Sequence, residues 1–322
     1  MSTATDPGFA DRLLAAIDDK QSYVVVGLDP DIGKMPNLFR GGAKDGQAPS
    51  TDVGSAIVSF NQCIIDVVAP HVPAVKPQIA FYEQYGLTGI HAFIETVAYA
   101  KKQGLLVIED GKRNDIGNTA QAYAAGHLGR VMVAGRSEPV FDVDAITINP
   151  YLGADGVMPF LDTLRQYGKG VFVLVKTSNR SSAEIQDLRL ADGKTLLFEH
   201  VGKLVDGWSR DHLGRRGYSS VGAVVGGTFP AHAKTLRRIM PQCVFLVPGY
   251  GAQGATAEDV LDCFGADGYG AVIAASRSIN YPHGAANDIG REEFEDLVLN
   301  SVTKMKTEIN QELSNLRRLP WG

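Results

Sequence analysis

The sequence predicts a closed (β/α)8 barrel, and three observations predict it. Eight short apolar, β-rich runs recur along the 322 residues, separated by segments with helical periodicity. Such alternation implies a parallel sheet with helices packed outside it. Charged, glycine-rich or hydroxyl-bearing residues stand directly after those runs, where a barrel gathers its strand ends into one mouth. Finally, the first run ends in Leu28-Asp29-Pro30-Asp31. An open dinucleotide-binding sheet would place a glycine-rich turn there.

The runs are Tyr23–Leu28, Ala74–Ala80, Leu105–Ile108, Ala145–Ile148, Val171–Lys176, Val221–Val225, Val244–Val247 and Ala271–Ala274. Continuous apolar character fits strands buried on both faces. Helical spacing is clearest in Val53–Val68 and Leu87–Lys102, and shorter in Asn118–Leu128 and Ala257–Phe264. An opening helix is expected over Phe9–Asp19 and a long, charged, amphipathic one over Glu292–Leu316. Asn118-Thr119 reads as the cap of the helix after the third strand. No repeat, linker or low-complexity segment divides the chain, so residues 1–322 are expected to form one barrel domain. Two connections are long. Asp31–Ser50 reads as an exposed excursion, and the polar Ser178–Lys194 as a wall or lid at the catalytic face.

Composition excludes several function classes. Apolar content is 44% and charged content 21%, ordinary for a globular protein. The net charge of −5, without a basic cluster or aromatic-basic interleaving, argues against nucleic acid. No apolar stretch reaches the ~18–20 residues of a membrane span. The N-terminus lacks an apolar signal core. Cys63, Cys243 and Cys263 are too widely spaced for a metal motif and read as buried thiols, so the cytoplasm is the expected location.

The strand ends carry the chemistry. The third run emits Asp110, Lys112 and Asp115 in close order. Residues two apart in a strand face one side, so Asp110 and Lys112 are expected to point together out of its carboxyl end. Lys76 interrupts the apolar second run, an expensive position unless a carboxylate meets it. A network Lys76–Asp110–Lys112–Asp115 satisfies both. The alternatives are a structural ion pair at a strand end, and a snorkelling lysine. Asp29 follows the first strand, where it serves a ligand or caps a turn. Thr177-Ser178-Asn179 ends the fifth. Gly249-Tyr250-Gly251-Ala252-Gln253-Gly254 ends the seventh and Ser276-Arg277-Ser278 the eighth. A glycine-rich turn exposes backbone N–H groups, and an arginine beside it suits phosphate, which barrels bind after their last two strands. A surface salt bridge is the alternative for Arg277.

These motifs resemble the orotidine 5′-phosphate decarboxylase family, in its longer bacterial-type branch, from about Phe9 to Tyr281. The signature stands as Asp110-Gly111-Lys112-Arg113-Asn114-Asp115-Ile116-Gly117-Asn118-Thr119. VGLDPD, VKPQIAFYE, KTSN, PGYGAQG and ASRSINY stand at the other strand ends in the family's order. The resemblance implies conversion of orotidine 5′-monophosphate to UMP and CO2 by a homodimer, without metal or other cofactor. It implies Lys112 as proton donor, within a network of Lys76, Asp110 and Asp115. It implies that Asp115 and Thr119 serve the neighbouring subunit's site. Asp29 corresponds to the ribose-binding acid. Ser178, with Thr177 and Asn179, corresponds to the pyrimidine-reading element, and Gln253 and Arg277 to the phosphate ligands. Ile116, Gly251 and Ser276 are carried as substrate-binding positions. Two other readings remain: a Mg-dependent sugar-phosphate lyase on a related barrel, and a non-catalytic nucleotide-binding barrel.

Overall fold

Eight parallel strands close into a barrel: β1 (Val24–Leu28), β2 (Ala74–Pro77), β3 (Leu106–Arg113), β4 (Ala145–Ile148), β5 (Gly170–Lys176), β6 (Ser219–Val225), β7 (Cys243–Val247) and β8 (Ala271–Ala275). Each pairs with its successor, and β8 returns to β1 through Val24–Ile273 and Val26–Ala275. Closure leaves no unpaired edge. This computed structural model describes residues 7–40, 50–251 and 254–321. The expected strands are all present. They are almost entirely buried, because side chains fill the interior and helices cover the outside.

The main outer helices are α1 (Phe9–Lys20), α2 (Ser50–Val68), α3 (Gly86–Lys102), α4 (Gly117–His127), α5 (Ala154–Tyr167), α6 (Leu197–Ser209), α7 (Pro230–Ile239) and α8 (Arg291–Asn315). The long α8 turns Phe294, Val298, Val302, Met305, Ile309 and Leu313 inward at helical spacing. Lys306 Nζ donates to Lys20 O at 2.7 Å, which ties α8 to the end of α1. Beyond α8, Trp321 stacks on Tyr23 at 5.1 Å. The three cysteines are buried free thiols, and no helix among the described residues is long and apolar enough to cross a membrane.

Three expectations need correction, and one element was not anticipated. The segment Ala257–Phe264 forms only a 3-10 turn over Leu261–Cys263. Asp259 Oδ2 accepts hydrogen bonds from Thr256 N and Thr256 Oγ1, both at 2.8 Å, and Gly265 follows at once. Too few residues remain to propagate an α-helix from this turn. Asn118 and Thr119 do not cap α4. Ile116 holds the N-cap position, and both polar residues fall in the first turn. The Asp31–Ser50 excursion is anchored at its start, for Met35 and Phe39 are buried, with Phe39 edge-on to Phe60 at 5.3 Å and Phe294 at 5.4 Å. Residues 41–49 lie outside the described residues. Lastly, a two-stranded hairpin, Val131–Val133 with Arg136–Glu138, stands between α4 and β4. Its turn residues Ala134 and Gly135 both have positive φ, 49° and 80°, the conformation that closes two-residue hairpins.

Candidate active site

The carboxyl ends of the strands surround a cavity of about 540 Å3. Strand β3 defines its charged wall. Asp110 Oδ2 accepts from Lys76 Nζ at 2.9 Å, and Asp110 Oδ1 accepts from Lys112 Nζ at 2.5 Å and Thr147 Oγ1 at 2.9 Å. Exposure differs sharply across the trio. The side chains of Lys76 and Asp110 are 7% and 13% exposed, while that of Lys112 is 45% exposed. Burial alone would push the Asp110 carboxyl up, but the two ammonium groups outweigh it and hold the group well below the usual carboxylate range. Burial likewise works to lower Lys76, yet Asp110 and Asp29 together raise it above the ordinary lysine value. The core of this trio is therefore an ion pair fixed away from water.

Asp110 and Lys112 meet as expected, although simple alternation is not the reason. The pairing of β3 with β4 shifts register between Glu109 and Arg113, and Lys112 has φ +45°. An irregularity of this kind re-aims side chains at a barrel rim. A lysine in the left-handed region is strained, and such strain concentrates at functional sites. Thr147 holds the distortion. Its hydroxyl accepts from Lys112 N at 3.0 Å while donating to Asp110. Sequence reasoning missed Thr147; a hydroxyl in the run Ala145–Ile148 was the available signal. It also missed Glu109, wholly buried beneath this wall, whose Oε2 lies 2.7 Å from His127 Nδ1.

The remaining wall is assembled from other strand ends. Asp29, Thr177, Ser178, Asn179, Ser276 and Arg277 all line the cavity. Among the described residues Asp29 Oδ1 is buried without a hydrogen-bond partner. Tyr281 links the first and last strand ends: its hydroxyl donates to Asp29 O and accepts from Asp31 N, both at 2.7 Å. Gly27 is required beside Ser276, since a Cβ there would sit 1.9 Å from Ser276 Oγ. Among the described residues Arg277 has no ion-pair partner, unlike the surface bridge weighed for it. Gly251 adopts φ +66° and donates its N–H to Ala255 O at 2.9 Å, but it does not line the cavity. Gln253 lies outside the described residues.

Asp115, Ile116 and Thr119 do not line the cavity of their own chain. Asp115 Oδ1 accepts from Ile116 N at 2.8 Å, and Thr119 faces a separate hollow beside Arg113, Tyr123 and His127. The expected four-membered network is therefore three-membered within one chain. Among the described residues no three His, Cys, Asp or Glu side chains converge as a metal site.

A closed parallel barrel whose strand ends carry a lysine–aspartate–lysine array, with Lys76 and Asp110 buried and Lys112 half-exposed, facing one cavity defines an enzyme of the (β/α)8 class. The comparisons with known proteins specify it further. Residues 22–281 match the model of the orotidine 5′-phosphate decarboxylase / HUMPS family, and the chain belongs to that family. It is 40% identical over 307 residues to orotidine 5′-phosphate decarboxylase of Caldicellulosiruptor saccharolyticus, covering 95% of this chain and 99% of that one. It is 44% identical over 286 residues to the Rhodopirellula baltica protein of the same name, covering 89% and 90%. Among solved structures, a putative orotidine-monophosphate decarboxylase from Toxoplasma gondii superposes with a TM-score of 0.77 at 29% identity, covering 97% and 98%.

Proposed function

We infer that this enzyme is a carboxy-lyase that converts orotidine 5′-monophosphate to UMP and CO2, the pyrimidine-forming step for which its relatives are named, with Lys112 as the proton donor. The observation that carries the reading is the Lys76–Asp110–Lys112 array on the cavity wall. The C6–carboxylate bond breaks and its electron pair stays on C6, where the ring cannot delocalise it. Stabilisation must therefore favour that carbanion over the carboxylate ground state. A fixed ammonium at Lys112 supplies it electrostatically and then transfers a proton to C6. The resulting amine regains a proton from water, to which its half-exposed side chain has access. Asp110 faces the departing carboxylate in this scheme, and buried Lys76 holds Asp110 ionised and in place. Among the described residues the Asp29 oxygen has no partner and suits a ribose hydroxyl, and the cavity-lining Arg277 suits the phosphate.

The test is an absorbance assay for loss of orotidine 5′-monophosphate, run with and without EDTA. Turnover that survives chelation supports the reading. Turnover that vanishes on chelation would overturn the metal-free mechanism, and absence of turnover would overturn the reading, in favour of the sugar-phosphate lyase if a sugar phosphate is then cleaved with Mg²⁺ and of a non-catalytic barrel if it is not.

A homodimer with shared sites, formed by one barrel domain per chain, completes this reading. Asp115 and Thr119 stay outside their own cavity, and apolar Ile116 (51% exposed) and Leu152 (45% exposed) lie near Asp115 at the same rim. Exposed apolar groups clustered at a rim mark an interface. Hybrid formation checks it. Lys112→Ala and Asp115→Ala enzymes, each inactive alone, are expected to recover about one quarter of the original activity when mixed and allowed to exchange subunits, because half the dimers then carry one intact site. Failure to recover activity despite demonstrated exchange would refute sharing. Three buried free thiols fit a cytoplasmic location.

A further inference from the structure

Lys176 ends β5, and its side chain is fully buried. Leu174 lines the cavity, so regular alternation would turn Lys176 inward as well. The pairing of β5 with β6 shifts register between Leu174 and Lys176, and the extra residue turns the lysine outward. There Lys176 Nζ donates to Asp187 Oδ1 at 2.6 Å and to Ser182 Oγ at 3.1 Å. It also lies 4.8 Å from the centre of the Phe229 ring and 5.7 Å from that of Phe198, against which His232 packs. A buried ammonium is retained only with such partners.

The pair closes the loop between the strand end and residue 187 from its buried side. Gln186 closes the same loop a second time, through Thr177. Its Oε1 accepts from Thr177 N at 2.9 Å, and its Nε2 donates to Thr177 Oγ1 at 2.8 Å. Thr177 Oγ1 in turn donates to Asn179 Oδ1 at 2.6 Å. Ser178 is pressed against Gly226, just past β6, where a Cβ would sit 2.8 Å from Ser178 N. Thus Thr177, Ser178 and Asn179 line the cavity on a segment clamped by two separate contacts, while Lys176 itself does not reach it.

We propose that Lys176, Asp187 and Gln186 are positioning residues that hold Thr177–Asn179 in the geometry that reads the pyrimidine base. This rests on the nucleotide reading above. Preorganised side chains bind without a further ordering cost, so releasing the clamp weakens base recognition and leaves the phosphate end untouched.

Calorimetric titration of the full-length enzyme with UMP and, separately, with ribose 5-phosphate tests it. Lys176→Met is expected to weaken UMP binding roughly tenfold. Ribose 5-phosphate affinity should stay within about twofold, as for a distant, independent site. KM for orotidine 5′-monophosphate should rise with UMP Kd. Gln186→Met, which disturbs no buried charge, should show the same base-selective loss and serves if Lys176→Met does not fold. Equal weakening of both ligands, or of neither, overturns the proposal. Failure of the unaltered enzyme to turn over orotidine 5′-monophosphate would instead overturn the functional reading beneath it.

Discussion

Replacing Lys112 with alanine is expected to lower kcat on orotidine 5′-monophosphate by ~10⁴-fold or more, since in the mechanism proposed above one change removes both the proton donor and the cation facing the carbanion. The fold should tolerate it. The side chain is 45% exposed, so no cavity opens in the core. The carbanion exists only on the way to product, so the loss should fall on kcat while UMP binding survives. Arg277→Ala makes the contrast. Its guanidinium lines the cavity and, in the proposed reading, takes the phosphate remote from C6, so its loss should act chiefly through KM. Steady-state kinetics on the two variants separates these effects. An Lys112→Ala enzyme with near-normal kcat would sink the proton-donor assignment.

The second large effect is on stability as well as rate. Asp110→Asn leaves Lys76 buried with Asp29 as its one remaining nearby carboxylate influence, and breaking a buried pair by removing one partner costs about 3–5 kcal/mol. The folded pKa of Asp110 lies below its unfolded value. Its contribution is therefore present above the ordinary carboxylate range, near pH ~4, and is lost as pH falls through that range toward the depressed folded value. Lys76 runs the other way. Its folded pKa is raised, so its contribution holds below the ordinary lysine range, near pH ~10, and is lost as pH rises past the folded value. Denaturant unfolding at neutral pH should find the variant much weaker than the parent, and the gap should narrow in acid. Equal stability at neutral pH would show that the Lys76–Asp110 pair is not an interdependent unit.

How legible the molecule was depended on the range of each interaction. The eight strands could be read because each is a local, mainly apolar run, and burial on both faces leaves room for few polar residues within it. The cavity-lining positions Asp29, Lys76, Asp110, Lys112, Thr177, Ser178, Asn179, Ser276 and Arg277 could be read because barrel topology collects every strand end at one rim. The segment after β7 could not. Its apolar spacing suits a helix, but the Thr256–Asp259 hydrogen bonds and the adjacent Gly265 stop it after one 3-10 turn.

What the sequence determined by itself was thus the barrel, the inventory of its mouth and the family's signature order. Only the tertiary structure decided which of those charges act together. The register shift in β3 and the left-handed backbone of Lys112 set the Asp110–Lys112 contact, and Thr147 from the next strand holds it. The shift in β5 sends Lys176 away from the cavity, to Asp187 and two aromatic rings. Nothing in a one-dimensional pattern marks either irregularity. A register shift is a property of two paired strands, and a single inserted residue reverses the face on which every later side chain falls.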